Sequence, residues 1–321
     1  MANQKLFDFD VDEVMDIFVL IKSADVRVAK NGKRFLALTF EDDSGELAGM
    51  YWDANDEDVS LFVPGKVVKL NAKRENYQGK PQVKITGLRL AKETEPHDPS
   101  YFLPHAPEKR SEIEAQIDQY IFEITQPTWN RIVRNLLQKH HEAFFTFPAA
   151  KTNHHAFAGG LSFHTLSILN LAKSVVSQYE GIDTALLYAG AILHDLGKTV
   201  ELSGPVSTSY TVAGNLIGHI SLVDGEIVAA CQTLKIDAQQ EDVLLLRHVI
   251  LAHHGLLEYG SPVTPHLLEA EILHRLDELD ASVMMIQGAL GHTKPGEFSE
   301  RIFGLDRRNF YKETDNDELK S

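Results

Sequence analysis

The chain has 321 residues, 43% of them hydrophobic and 24% charged, with a formal net charge of −15. That length suits two folded units, each with its own core, and that composition excludes a disordered polar chain. One cysteine, Cys231, excludes an internal disulfide, and the densest apolar run, Ala185 to Leu193, is too short to cross a bilayer, so no membrane partner is expected. Met1 to Phe18 is acidic and lacks the basic stretch and long apolar run of a signal peptide, which points to a reducing, cytoplasmic setting.

Residues 1–95 read as strands. Apolar and polar residues alternate in Arg34-Phe35-Leu36-Ala37-Leu38-Thr39-Phe40 and in Val67-Val68-Lys69-Leu70-Asn71-Ala72, with turn residues at Asn31-Gly32, Ser44-Gly45, Pro64-Gly65 and Gln78-Gly79. About five short strands suggest a small closed barrel, of which the oligonucleotide-binding OB-fold is the commonest of this size. Between Pro64 and Lys92 eight basic residues face one acid, Glu75, a local charge of +7 within an acidic chain. Such a run suits a phosphate backbone, although most basic runs are solvated surface. Within it Lys73, Arg74 and Lys80 are candidate contacts. Tyr77 and Trp52 are candidate stacking residues, whereas Phe35 is expected in the core.

Residues 96–110, with Pro96, Pro99, Pro104 and Pro107, break both periodicities and are expected to be a linker. Residues 111–295 are expected to be all α. Ile113, Ile117, Tyr120, Ile121 and Ile124 recur at helical spacing, as do Ile132, Val133, Leu136 and Leu137, and further stretches follow near 162–178, 182–197, 215–234, 241–254 and 265–289. Residues 296–321 are expected to be a tail, frayed from Lys312 onward. The fold class expected overall is multidomain α and β.

Thirteen of the fifteen histidines fall between His140 and His292, in the second half. His194-Asp195 ends an apolar helix and is followed by Leu196-Gly197-Lys198, where the glycine could end the helix. An imidazole and a carboxylate side by side can reach one metal, the second carboxylate oxygen remaining free to reach another. His164, His219, His253, His254 and Asp277 lie on neighbouring predicted elements. An isolated His-Asp pair is usually a solvated helix end; five further ligand-type residues change that. Asp280 reads as structural rather than as a ligand. His154, His155, His248, His266, His274 and His292 also read as structural, with His154 and His155 near enough to line a cleft.

The order His164, His194-Asp195-Leu196-Gly197-Lys198, His219, His253, His254, Asp277 resembles the HD superfamily of metal-dependent phosphohydrolases. The resemblance implies that His164, His194 and Asp277 hold one divalent metal, that His219, His253 and His254 hold a second, and that Asp195 bridges them. Gly160 stands where trinuclear members carry a glutamate. The resemblance widens to roughly residues 10–295: a barrel containing Lys33 to Phe40, Asp42-Asp43-Ser44-Gly45 and Tyr51-Trp52, then Phe102-Leu103-Pro104, then Gly159-Gly160-Leu161-Ser162-Phe163-His164-Thr165. In these it is similar to the YhaM-type 3′ to 5′ exoribonucleases. That implies hydrolysis of single-stranded RNA, and of single-stranded DNA, with Mn favoured and Co or Fe as alternatives. Asp195 and Lys198 are the catalytic candidates, Lys198 having as its bland reading a cation at a helix C-terminus. The rivals are a phosphohydrolase of mononucleotides or cyclic dinucleotides, although Tyr259-Gly260-Ser261-Pro262 lacks the Gly-Tyr-Pro order of HD-GYP domains, and a non-catalytic strand-binding protein. A homo-oligomer is left open.

Overall fold

A computed structural model describes residues 4–29, 32–77, 80–103, 105–151, 155–291 and 293–314. Asn31, Gln78, Gly79, Pro104, His154, His292 and the last seven residues, all named above, lie outside the described residues. The chain divides into two compact units, 1–105 with 204–208, and 106–203 with 209–321.

The first unit is a closed barrel of strand order β1-β2-β3-β5-β4. Strand β1 (Val14–Val28) pairs with β4 (Val67–Tyr77) through its first half and with β2 (Arg34–Asp42) through its second. A bulge between Ile21 and Ser23 marks the change of partner, bending a strand too long for one flat sheet. Strands β2 and β3 (Gly45–Trp52) meet at a tight turn, where the Asp42 carboxylate accepts from Ser44 N at 2.8 Å and Leu6 N at 2.6 Å. After the short helix α1 (Asp56–Leu61), β4 and β5 (Lys80–Leu90) form a hairpin, and β5 closes the barrel parallel to β3, with Ala48 opposite Gln82. The period-two pattern puts Ile17, Val19, Leu36, Leu38, Phe40, Val68 and Leu70 inside, all buried. Five closed strands with a helix between the third and fourth fit an OB-fold.

Phe35, expected in the core, is buried, but not among the side chains that fill the barrel interior. Its neighbours Leu36, Leu38 and Phe40 fill the barrel core, so strand alternation puts Phe35 on the other face. It is buried there with the Trp52 ring 4.7 Å away. Phe102 and Leu103, in the stretch expected to be a linker, are buried too. They follow a 3-10 turn, Pro99–Phe102, capped by Asp98, which accepts from Ser100 N at 2.9 Å.

The second unit is helical: α2 (Arg110–Glu123), α3 (Pro127–Thr146), α4 (Gly160–Val176), α5 (Thr184–Leu193), α6 (Lys198–Glu201), α7 (Val212–Ile217), α8 (His219–Leu234), α9 (Glu241–Leu251) and α10 (Leu268–Gly291). Every residue of α5 from Ala185 to Leu193 is buried. A helix apolar all round belongs at the centre, and α3, α4, α9 and α10 pack against it. Beyond α10 the chain doubles back, with bridges Phe298–Tyr311 and Ile302–Arg308. Lys312, expected to begin a frayed end, instead bonds Glu297 O through its backbone at 2.9 Å and Leu290 O through Nζ at 3.0 Å. No helix among the described residues is long and apolar enough to cross a membrane.

Candidate metal centre

Helix ends deliver most of the site. The central helix α5 runs out at Leu193, so His194 and Asp195 leave the core still buried, 0% and 2% exposed. Helix α9 ends at Leu251, just before His253 and His254, and α8 begins at His219. His164 sits in the second turn of α4, and Asp277 lies within α10. Gly197 joins these parts for a reason other than helix termination: its φ of −58° is right-handed, and a Cβ there would stand 2.1 Å from the His219 carbonyl oxygen. The close approach of two ligand-bearing segments excludes any side chain at that position.

The two oxygens of Asp195 face different histidines. Oδ2 lies 3.6 Å from His164 Nε2 and 3.5 Å from His194 Nε2. Those two nitrogens are 3.3 Å apart, and Asp277 Oδ1 is 3.2 Å from His164 Nε2. Oδ1 instead lies 3.5 Å from His219 Nε2 and 3.9 Å from His253 Nε2. His219, His253 and His254 offer ligand atoms within 4.8 Å of one another. The structure thus brings together all seven residues of the expected set.

Whether this chain suits metal ions can be judged from the free edges of the rings. His194 Nδ1 donates to Ala191 O at 2.8 Å, His253 Nδ1 to Ile250 O at 2.7 Å, and His254 Nδ1 to Tyr259 O at 2.7 Å. A carbonyl only accepts, so each Nδ1 carries the proton and each neutral Nε2 presents a lone pair. His219 Nδ1 is 3.2 Å from Glu201 Oε1, and His164 Nδ1 is 2.7 Å from Asp280 Oδ2. Asp195 Oδ1, His219 Nε2 and His253 Nε2 are buried without a hydrogen-bond partner. Converging buried acceptors of this kind are costly unless a cation sits among them, so the residues fit divalent metals.

Electrostatics sort the ligands. Burial depresses the imidazoles of His194 and His254, and holds that of His253 well below its usual value, so all three are neutral at neutral pH. Burial acts the same way on His164, but hydrogen bonds to Asp277 and Asp280 outweigh it and push its pKa up to about 9. Burial would raise Asp195, yet Lys198 and the surrounding imidazoles hold it well below the carboxylate range. The Lys198 ammonium stands 2.6 Å from Asp195 Oδ2. At the head of α6, it pairs with the site carboxylate and does not serve a helix C-terminus.

Two carboxylates hold the rings from behind. Asp280, read as structural, accepts from His155 Nε2 at 2.6 Å, from His164 Nδ1, and from the Ser167 hydroxyl. Its place three residues after Asp277 puts both on one face of α10, and that spacing was the available signal. Glu201, one turn past Lys198, went unnoticed in the sequence; it accepts from the His219 backbone at 3.0 Å as well as facing its ring. His155, His164 and Asp280 cluster closely enough for a metal, but their hydrogen bonds to each other account for the arrangement. At Gly160 a Cβ would stand 2.0 Å from His155 O, so a glutamate has no room there. His274 is buried with Nδ1 3.1 Å from His253 O, and His248 Nε2 accepts from His266 N at 2.9 Å, as structural histidines would.

Residues 161–282 match the family model of the HD domain. This region is an HD domain. All seven converging residues fall within it, and an HD domain marks a metal-dependent phosphohydrolase.

The barrel candidates are more dispersed. Lys73 Nζ pairs with Asp12 at 2.8 Å. Arg74 donates to the Phe9 carbonyl and lies over the Phe7 ring at 4.8 Å. Lys69 pairs with Asp16 at 3.1 Å and Arg89 with Glu95 at 2.7 Å, so much of the local +7 is met by acids from outside the basic run. Trp52 and Tyr77 are 56% and 57% exposed. Trp52 lies four residues past Ala48 on β3, whereas Tyr77 is abreast of Lys80, two before Gln82 on β5. That places them about 20 Å apart along the strands. The Lys80 side chain lies outside the described residues.

Proposed function

We propose that the protein is a divalent-metal-dependent 3′ to 5′ exoribonuclease of single-stranded RNA, with single-stranded DNA as a second substrate. The carrying observation is the division of Asp195 between two sets of imidazoles, with its Oδ1 and the Nε2 atoms of His219 and His253 buried without a hydrogen-bond partner. His164, His194 and Asp277 would hold one metal, His219, His253 and His254 the other, with Asp195 shared. A nitrogen-rich set favours Mn, with Co or Fe as alternatives, over Mg. When bound, such a pair lowers the pKa of a water and neutralises charge on the phosphate.

In the reaction a water oxygen bonds to phosphorus and the P–O3′ bond breaks. The water's proton ends on the departing 3′ oxygen, releasing a nucleoside 5′-monophosphate and a strand one nucleotide shorter. Lys198, buried beside Asp195, would donate to the scissile phosphate. In the barrel, exposed Trp52 and Tyr77 supply stacking faces. Lys73 reaches a phosphate by exchanging Asp12 for it, and Arg74 and Lys80 are the further basic candidates of the same run. The polymer substrate and its direction rest on the likeness to YhaM-type enzymes. Hydrolysis of mononucleotides or cyclic dinucleotides by the same centre is the rival, and a purely strand-binding role leaves the three orphaned atoms without purpose.

The test is Mn-dependent digestion of 5′-labelled single-stranded RNA, its 3′ end free or blocked, by wild type and Asp195→Ala. A ladder receding from the free 3′ end, absent in the variant, is expected. Intact RNA with turnover of mononucleotides or cyclic dinucleotides would replace the exoribonuclease with the rival.

A further inference from the structure

Beside the metal centre the helical unit opens into a cavity of about 440 Å³, within the ~300–1,000 Å³ of small-molecule sites. Part of its lining is chemical: Lys198, His219, His254 and Asp277. Another part is apolar and comes from Met285, Gly304 and Leu305, all beyond residue 282, where the HD match ends.

Asp277, Ala281 and Met285 recur every fourth residue on α10 and all line the cavity, so they share one face of the helix. The eight steps from Asp277 to Met285 rise about 12 Å. A phosphate alone needs only the ligand end of that face; a nucleoside attached to the phosphate spans it. Leu305 is buried yet lines the cavity. The segment carrying it is fixed by backbone bonds, Ile302 N to Arg308 O at 2.9 Å and Ser299 N to Phe310 O at 2.8 Å. It is seated on α10 closely enough that a Cβ at Gly304 would stand 2.9 Å from Met285 Sδ.

We infer that Met285, Gly304 and Leu305 form the specificity wall of the active site, against which the substrate's terminal nucleoside packs while its phosphate sits at the metal ligands. This rests on the phosphodiesterase reading of the same centre. Tyr210 and Tyr259, both partly exposed, complete the lining and offer hydroxyls to the sugar or base. The family's part of the chain supplies the chemistry, and the residues after it set what is attached to the phosphate.

The experiment uses the full chain with Mn and two chromogenic diesters, the p-nitrophenyl ester of thymidine 5′-monophosphate and methyl p-nitrophenyl phosphate. Leu305→Trp, which fills the cavity, is expected to lower kcat/KM for the thymidine ester about tenfold or more and to leave the methyl ester within about twofold. Met285→Ala, a milder change, is expected to weaken the thymidine ester alone. Equal losses on both esters in a variant with wild-type circular dichroism, or no loss on either, would overturn the wall. If wild type hydrolyses neither ester, the phosphodiesterase reading falls. The wall is then judged by calorimetric binding of thymidine 5′-monophosphate: weakened by Leu305→Trp it stands, unchanged it falls.

Discussion

At the metal centre of the helical unit polar side chains turn inward, where His164, His194 and His253 are 0% exposed and Asp195 Oδ1, His219 Nε2 and His253 Nε2 lack partners; in the barrel's basic run Lys73 and Arg89 stay near the surface and pair with Asp12 and Glu95. A buried unpaired polar atom costs about 1–3 kcal/mol, whereas an exposed ion pair contributes about 0–1 kcal/mol. The cost of the first arrangement is offset when a cation binds among the acceptors, so it points to a metal site. The second is nearly free and can be exchanged, which suits a surface that grips and releases a strand. Under the proposed function, one unit would act through fixed geometry and the other through replaceable contacts.

If that contrast holds, the largest effect is expected from Asp195→Asn, which removes the carboxylate facing both histidine sets. Phosphodiester hydrolysis should fall by about a thousandfold or more, and bound Mn per chain, measured by elemental analysis, should drop with it; full metal content would break the comparison at its centre. Next comes Asp280→Asn, where a partner of the His164 and His155 rings loses its charge. Metal affinity is expected to weaken about 10–100-fold, read by competition with a chelating dye, with Asp280→Glu recovering part of the loss. Smaller still are Trp52→Ala and Tyr77→Ala in the barrel. Each should cost ~1 kcal/mol or more of RNA affinity while leaving turnover of small diesters unchanged. Because the two stand about 20 Å apart, their effects should add; strong coupling in the double variant would sink the idea of separate contacts.

The smallest effect concerns acid stability. The Arg89 guanidinium and the Lys92 backbone N–H hold Glu95 down to about 2. Its folded pKa lies below its unfolded one, so its contribution is present above the ordinary glutamate range and is lost as pH falls toward 2. Glu95→Gln should therefore lower the barrel's Tm slightly at pH 7 and leave it unchanged near pH 2. A deficit as large at pH 2 as at pH 7 would show that the pair does not act through charge.

Much of the metal centre was legible because its chemistry is local: His194-Asp195 and His253-His254 are neighbours in sequence, and helical periodicity placed the rest on adjoining elements. The supports were harder to see. Asp280 and Asp277 are both acids on one helix face, and only the fold shows that one faces Nε2 of His164 and the other Nδ1. The carbonyls of Ala191 and Ile250 that fix two rings are backbone, and no residue type announces them. In the barrel, alternation disclosed the strands but not that β1 changes partners at a bulge, which depends on closure. Counting charge along 64–92 overstated the free positive surface because Asp12, Asp16 and Glu95 arrive from elsewhere in the chain. Phe35 satisfied the apolar pattern and is buried, but against Trp52 on the face opposite the barrel interior.

The back edges of the five imidazoles are tied to carbonyls and carboxylates of the chain itself. The rings keep their aim whether or not an ion is present, so the centre behaves as a mould cast by the protein. Emptied by a chelator, it should refill without refolding. Among divalent ions of similar size and taste for nitrogen, the one it holds is then decided by which the surroundings supply in greatest abundance.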